Sequence, residues 1–255
     1  MVKISSYNIN GVRAAIKKGF TDWVESSAPD IICIQELRAE QSQLPNEFKE
    51  LNYHKFYHTA QKKGYSGVAI LTKEEPLKVR EGIGVDWIDA EGRVLTLEFE
   101  KFDIVSAYFP SGTTGDIRQD MKMKFLEDFK KLGKEIIASG KPTIVCGDFN
   151  ICHQEIDIHN PDKQHKTSGF LPEERQWVSS FLKIGFEDVF RNLNKDKKDL
   201  YSWWSYRAAS KERNKGWRID YQMATKEIAE KGKLAVIEKD WDISDHAPVT
   251  IEYDL

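Results

Sequence analysis

Apolar residues in this chain fall in short runs, and polar residues collect where the runs end. Residues 2–10 alternate, with Ile4 and Ile9 apolar and Asn8 and Asn10 polar near the exit, which predicts a first strand. Over residues 12–27, Phe20, Trp23, Val24 and Ser27 recur at helical spacing while Arg13, Lys17 and Lys18 fall elsewhere. One amphipathic helix is expected there, stopped by Ala28-Pro29. Residues 30–35, DIICIQ, form a second buried run with Glu36 directly at its end. Residues 53–58 and 67–72 predict two more strands, joined by a basic, glycine-containing loop at 61–66. Residues 93–100 alternate strictly and 102–109 follow after a tight turn, so this pair reads as an antiparallel hairpin and not a βαβ unit. Tyr108 sits at its outgoing end. Beyond a loop at 110–115, Phe125, Phe129, Leu132 and Ile136 mark a helix over 121–138.

The stretch TIVCGDFN, residues 143–150, organises the rest. Thr143 to Cys146 is a short, mostly β-branched run that reads as a buried strand, and Gly147 is expected to let the backbone bend. Asp148 and Asn150 follow. Two apart on extended chain, they would point to the same side and present a carboxylate and an amide together. The same residues also suit an ordinary turn.

Further along, residues 151–160 carry His153, Glu155, Asp157 and His159, whose spacing is not the two-histidine helical pattern of a zinc site, so a polar loop is expected. A helix at 173–184 is opened by Pro172 and ended by Gly185. Residues 200–206, LYSWWSY, read as an aromatic strand, 207–215 as a basic loop, and 217–223, WRIDYQM, as a strand carrying Asp220 among apolar neighbours. Residues 242–248 lead into a last strand at 249–253. With no repeat and no long linker, residues 1–255 are expected to form a single domain.

Composition narrows the class. The chain has 255 residues, 40% hydrophobic and 31% charged, enough for a sizeable core and unlike a disordered or collagenous chain. No secretion signal is evident and no apolar run approaches the roughly 20 residues of a membrane helix, so a soluble protein of a bacterial or archaeal cytoplasm is expected, with no membrane partner. Cys33, Cys146 and Cys152 are odd in number, and two lie in apolar runs, which suits reduced packing residues and not a disulfide frame. A net charge of -3 argues against general affinity for polyanions, so any nucleic-acid surface must be local.

The polar strand ends carry the chemistry. Asn8, Glu36, Asp148 with Asn150, Asp220, and Asp245 with His246 all stand at the ends of expected strands. Each alone is explicable as a turn. Together they place carboxylates that would repel one another unless a cation joins them, and oxygen ligands without a Cys/His cluster favour Mg2+, with Mn2+ as the other choice. Such an ion usually shares its oxygens with a phosphate. Neither a P-loop nor a nucleophile-elbow serine is present, so water is the expected nucleophile in a metal-dependent hydrolysis. Asp220 is placed to fix the tautomer of His246.

The motifs YNINGVRA, PDIICIQE, KKGYSGVAI, EGRVLTLEF, SAYFPSG, TIVCGDFN, SGFLPEERQW, YSWWSY, RNKGWRIDY and SDHAPV resemble, in this order and from end to end, the exonuclease III family of apurinic/apyrimidinic (AP) endonucleases. The resemblance implies a four-layer α/β sandwich, two mixed β-sheets packed face to face with helices outside. It also implies a magnesium-dependent DNA repair nuclease that cuts 5′ to abasic sites in duplex DNA, with 3′-to-5′ exonuclease and 3′-phosphatase or phosphodiesterase activity. At the matching positions Glu36 would be the main metal ligand, with Asn8, Asp148, Asn150 and Asp245 around the ion. Asp148 would orient or deprotonate the attacking water and Asn150 would help hold it. Tyr108 would contact the scissile phosphate, His246 would bind its oxygen, and Asp220 would orient His246. Trp203, Trp217 and Ile219 would line a slot for the extruded baseless sugar, with Arg207 near the minor groove. Trp204 could equally be core. Ser111, where many relatives have Asn or Gln, and Thr167, which varies among members, leave the balance of activities open. The expected partner is duplex DNA with abasic sites or blocked 3′ ends, bound by a monomer. Two other readings are a sister phosphohydrolase acting on a non-DNA phosphate ester and a DNA-binding module without catalysis.

Overall fold

The computed structural model describes residues 1–255. Twelve strands follow in chain order: β1 (Val2–Asn8), β2 (Ile31–Gln35), β3 (His54–His58), β4 (Val68–Thr72), β5 (Lys78–Glu81), β6 (Val94–Glu98), β7 (Asp103–Tyr108), β8 (Thr143–Asp148), β9 (Phe186–Asp188), β10 (Asp220–Thr225), β11 (Gly232–Ile237) and β12 (Val249–Tyr253). They form two six-stranded sheets, ordered β11-β12-β1-β2-β4-β3 and β5-β6-β7-β8-β10-β9. Each sheet is mixed. β1 pairs parallel to β2 and β7 parallel to β8, and the remaining pairs are antiparallel.

The layers follow from strand alternation. On β2, Ile31 and Cys33 face the other sheet and pack with Leu97, Ile104, Ile144 and Cys146. The alternate residues Ile32 and Ile34 face outward onto Phe20, Trp23 and Phe48 of the helices α2 (Phe20–Ser27) and α3 (Asn46–Glu50). Correspondingly, Val105 and Val145 of the second sheet pack on Phe125, Phe129 and Phe181 of α5 (Asp116–Ser139) and α6 (Pro172–Lys183). Central strands buried on both faces read as continuous apolar runs, which is why DIICIQ and TIVC lack a polar side. The result is helices, sheet, sheet, helices: the four-layer α/β sandwich. All three cysteines are buried and free, as packing residues.

Some expectations on elements need correcting. The helix expected over residues 12–27 is two, α1 (Val12–Lys17) and α2, because Gly19 takes φ 91 and turns the chain between them. Residues 200–206 are not a strand. Trp203 pairs singly with Trp217 and with His246, which lead into β10 and β12, so the segment bridges the two sheets and does not run along either. β10 begins at Asp220, so Trp217 to Ile219 form its lead-in. Gly147 does not bend the chain; it lies within β8, where an added Cβ would sit 2.0 Å from the carbonyl oxygen of Ala107 on β7. Edge strand β5, exposed at every residue, the three-residue β9 and the edge strand β11 carry no clear alternation, nor do α3, α4 (Asp86–Ala90), α7 (Val189–Leu193) and α8 (Lys226–Ala229) carry a long repeat. No helix is long and apolar enough to cross a membrane.

Candidate active site

Topology gathers the strand ends. β1, β2, β7 and β8 deliver Asn8, Glu36, Tyr108 and Asp148 at one end of the two sheets. β10 runs antiparallel to β8 and starts with Asp220 opposite Asp148. β12 runs antiparallel to β1, so His246 enters at the same end. Hydrogen bonds join the sheets there, among them Asn8 Nδ2 donating to Asp148 Oδ2 at 2.9 Å; the same amide also donates to Glu36 Oε1 at 2.9 Å. Glu36 and Asn150 both leave their strands in the left-handed region, at φ 56 and 53. The extended-chain argument for Asp148 and Asn150 therefore does not hold. They meet through a turn, with Asn150 N–H on Asp148 Oδ1 at 2.8 Å and Nδ2 within 3.2 Å of Oδ2.

Behind Asp148 lies a buried histidine. His246 Nδ1 and Asp220 Oδ2 are 2.9 Å apart, and His246 Nε2 faces Asp148 Oδ2 at 3.8 Å. Ser202 Oγ donates to the same Asp220 oxygen at 2.6 Å. Asp220 Oδ1 is buried with no partner. Burial raises the Asp148 carboxyl to about 7, with Asp220 adding to the shift and His246 and Asn8 opposing it. For His246, burial alone would lower the pKa, but the carboxylates of Asp220 and Asp148 outweigh it and raise it to about 10. The shifts agree physically: two buried carboxylates share one imidazolium, which leaves negative charge uncompensated. Asp148, Asp220 and His246 bring ligand atoms within 4.8 Å of one another, a group that could hold a metal ion.

A pH test follows from this pair. The folded pKa of His246 lies above the usual 6.5, so its stabilising contact is complete below that value and is lost as pH rises toward about 10. Asp220→Asn is therefore expected to cost about 3 kcal/mol in denaturant unfolding of the metal-free protein at pH 7. The cost should shrink above pH about 10. Equal losses at both pH values would refute a charged pair.

Tyr108 keeps its proton, because burial, Glu36 and Asp148 together push the phenol well up. Arg93, itself buried, opposes them with its guanidinium 4.9 Å from the ring and donates to the Tyr108 carbonyl at 2.9 Å. Asp245 is held below the usual carboxylate range. Burial works against this, but His246 and hydrogen bonds from Trp203 and Asn10 prevail. Those bonds run from Trp203 Nε1 to Oδ2 at 3.1 Å and from Asn10 Nδ2 to Oδ1 at 2.9 Å.

Above these groups opens a cleft of about 360 Å³. Glu36, Tyr108, Asp148, Asn150, Asp245 and His246 line it, and Trp203, Trp217 and Ile219 form one wall. The indoles of Trp203 and Trp217 meet edge to face at 5.9 Å. Asn8 and Asp220 are buried beneath the floor and act through Asp148 and His246. Ser111 and Thr167 also line the cleft. Arg207 does not; it is exposed on a single 3-10 turn, Arg207–Ala209. Trp204 is core, buried with Tyr201 and Ala247. Asp157 belongs to no metal face, since it is buried against Arg191 at 2.6 Å and Arg218 at 2.8 Å. Sequence reasoning missed Arg38, which lines the cleft and pairs with Glu36, and Ser202 and Arg93. Only Arg38 carried a signal, two residues beyond a strand-end acid.

Comparison with known proteins agrees with this geometry. Residues 5–246 match the endonuclease/exonuclease/phosphatase family. The exodeoxyribonuclease of Bacillus subtilis is 41% identical over 251 residues, covering 98% of each chain. The DNA repair nuclease APEX1 of Danio rerio is 40% identical, covering 98% of this chain and 81% of its own. An AP endonuclease structure from Archaeoglobus fulgidus superposes with a TM-score of 0.92 at 28% identity, over 100% of both chains. With the sheet order, the strand-end acids and the Asp220–His246 pair in place, the chain belongs to the endonuclease/exonuclease/phosphatase family, in its exonuclease III branch.

Proposed function

We propose that residues 1–255 act as one endonuclease/exonuclease/phosphatase domain that hydrolyses the phosphodiester 5′ to abasic sites in duplex DNA and trims blocked 3′ ends. The carrying observation is the floor of the cleft, where Asn8, Glu36, Asp148 and His246 meet beside an aromatic wall of Trp203 and Trp217. The donor set suits a hard cation: the carboxylates of Glu36, Asp148 and Asp245 and the amide of Asn150 line the cleft together, and no cysteine lines it. Glu36 and Asp148 would hold it, with Asn8, Asn150 and Asp245 close by. Magnesium or manganese, when bound, would supply Lewis-acid stabilisation of charge on the phosphoryl oxygens.

The chain's own groups divide the remaining work. Asp148 takes the proton of the attacking water, and Asn150 orients that water from the adjoining turn. As the water oxygen bonds to phosphorus, the bond to the 3′ oxygen breaks; that oxygen takes a proton from solvent to leave as a 3′ hydroxyl, and Asp148 returns its proton to solvent. His246, charged and donating from Nε2, and Tyr108, a protonated phenol, stabilise the phosphoryl oxygens while Asp220 holds the imidazole. The slot between Trp203, Trp217 and Ile219 accepts a flipped deoxyribose and leaves no room for an attached base. Arg207, exposed outside the cleft, would meet the DNA backbone.

The test is cleavage of a duplex carrying one tetrahydrofuran abasic analogue, beside a duplex with a recessed 3′-phosphate. Incision on the 5′ side of the analogue supports the reading. Removal of the 3′-phosphate alone would keep the hydrolytic centre and refute the abasic slot. Trp217→Ala is expected to lower kcat/KM on the abasic duplex about tenfold, a typical loss for a hydrophobic pocket contact. It should leave 3′-phosphate release almost unchanged.

A further inference from the structure

Behind the cleft wall lies a buried ion pair that the chemistry above does not use. Lys122 of α5 and Glu174 of α6 are both fully buried, with Lys122 Nζ donating to Glu174 Oε1 at 2.6 Å. The same ammonium donates to the backbone carbonyl of Asn150 at 2.9 Å. Glu174 Oε2 accepts the backbone N–H groups of Gly169 at 2.6 Å and Leu171 at 3.0 Å. Burial lowers the Lys122 pKa, and Glu174 counters that pull.

Stability alone does not account for such a pair. Removing two charges from water costs about what their attraction returns, and well-packed apolar residues would hold two helices together equally well. What apolar residues could not do is accept two loop N–H groups and donate to a loop carbonyl. Both loops belong to the cleft. Asn150 has its side chain on Asp148 and on the Phe109 carbonyl at 3.0 Å, so Lys122 fixes its other end. Gly169, at φ 98, lies directly under Trp217: an added Cβ would be 2.9 Å from the indole and 3.1 Å from the Asn150 carbonyl. The Cys152 N–H to the Gly169 carbonyl at 2.8 Å ties the two loops together.

We propose that Lys122 and Glu174 are positioning residues, which hold Asn150 in register for hydrolysis and set the height of Gly169 beneath Trp217, hence the width of the abasic slot. This rests on the reading of the cleft given above. Neither residue touches substrate, and both act through backbone groups.

The double variant Lys122→Met/Glu174→Met removes both charges with little change in volume and takes the acceptor away from the Gly169 and Leu171 N–H groups. It is expected to fold, judged by circular dichroism, and to lose about tenfold in kcat on both the tetrahydrofuran duplex and the 3′-phosphate duplex, because both use Asn150. KM should rise about fivefold on the abasic duplex alone, because only that substrate enters the slot. Glu174→Gln alone keeps Lys122 on Asn150 and should show the KM effect with a smaller loss of kcat; it also serves if the double variant does not fold. A folded variant with kcat and KM unchanged on both substrates overturns the proposal, whether or not its melting temperature falls. Failure of the unaltered protein to cut the abasic duplex would instead refute the reading of the cleft.

Discussion

Asp148→Asn is expected to lower kcat on an abasic duplex by about 10³-fold, within the range for losing a positioned general base. The substitution is nearly isosteric, so the effect should be chemical and not a loss of fold. An amide cannot accept the proton of the attacking water, and it also breaks the contact that keeps His246 charged from the Asp148 side. Two features argue that the protein tolerates it. Asp148 already pays a large desolvation penalty, which lifts its carboxyl to about 7, and removing its charge relieves repulsion with Asp220. Affinity for the uncut duplex should hold or improve, because one negative charge leaves a cleft that must accept a phosphate. Single-turnover cleavage and a binding titration of the same variant check both halves. A kcat within tenfold of the unaltered enzyme would remove Asp148 from the role of base, and weaker DNA binding would contradict the electrostatic argument.

Chelation is expected to have an effect of the same order. Several kcal/mol of charge stabilisation from a bound ion corresponds to about 10³-fold in rate, so EDTA should abolish incision, and added magnesium or manganese should restore it. Glu36→Gln should mimic partial chelation. It keeps the contact with Asn8 Nδ2 through one oxygen and removes the charge that Arg38 now pairs with. Arg38 is 43% exposed on its side chain, so it can turn to water and the fold should survive. The variant should need a higher concentration of metal for half-maximal rate, and direct calorimetric titration of metal should weaken in step. Full incision in EDTA would sink the metal reading. A Glu36→Gln variant with unchanged metal affinity would instead move the ion away from Glu36.

The chain itself determined the strands and the chemistry at their ends. Runs such as DIICIQ and TIVC are apolar because both faces of a central strand are buried, and Glu36 and Asp148, each alone explicable as a turn residue, stand out once the other strand-end acids and amides are set beside them. Periodicity also found α5, Pro172 and Gly185 marked the ends of α6, and the order of motifs pointed to the family. These signals are local: each depends on residues a few positions apart. Which strand end meets which is not local. Asn8 and Asp148 are 140 residues apart, and only the face-to-face packing of two sheets brings their side chains to 2.9 Å. The same holds for adjacent Trp203 and Trp204, alike in sequence, of which one walls the cleft and the other fills the core once the segment lies between the lead-ins of β10 and β12. Lys122 continues the apolar face of α5, three residues before Phe125, but nothing near it in sequence names its partner, since Glu174 lies on another helix. Local hydrophobic pattern fixed the central strands and the long helix α5 and marked the acids, whereas burial, pairing and the charge state of those acids were decided by tertiary packing, because they depend on the partners that long-range contacts supply.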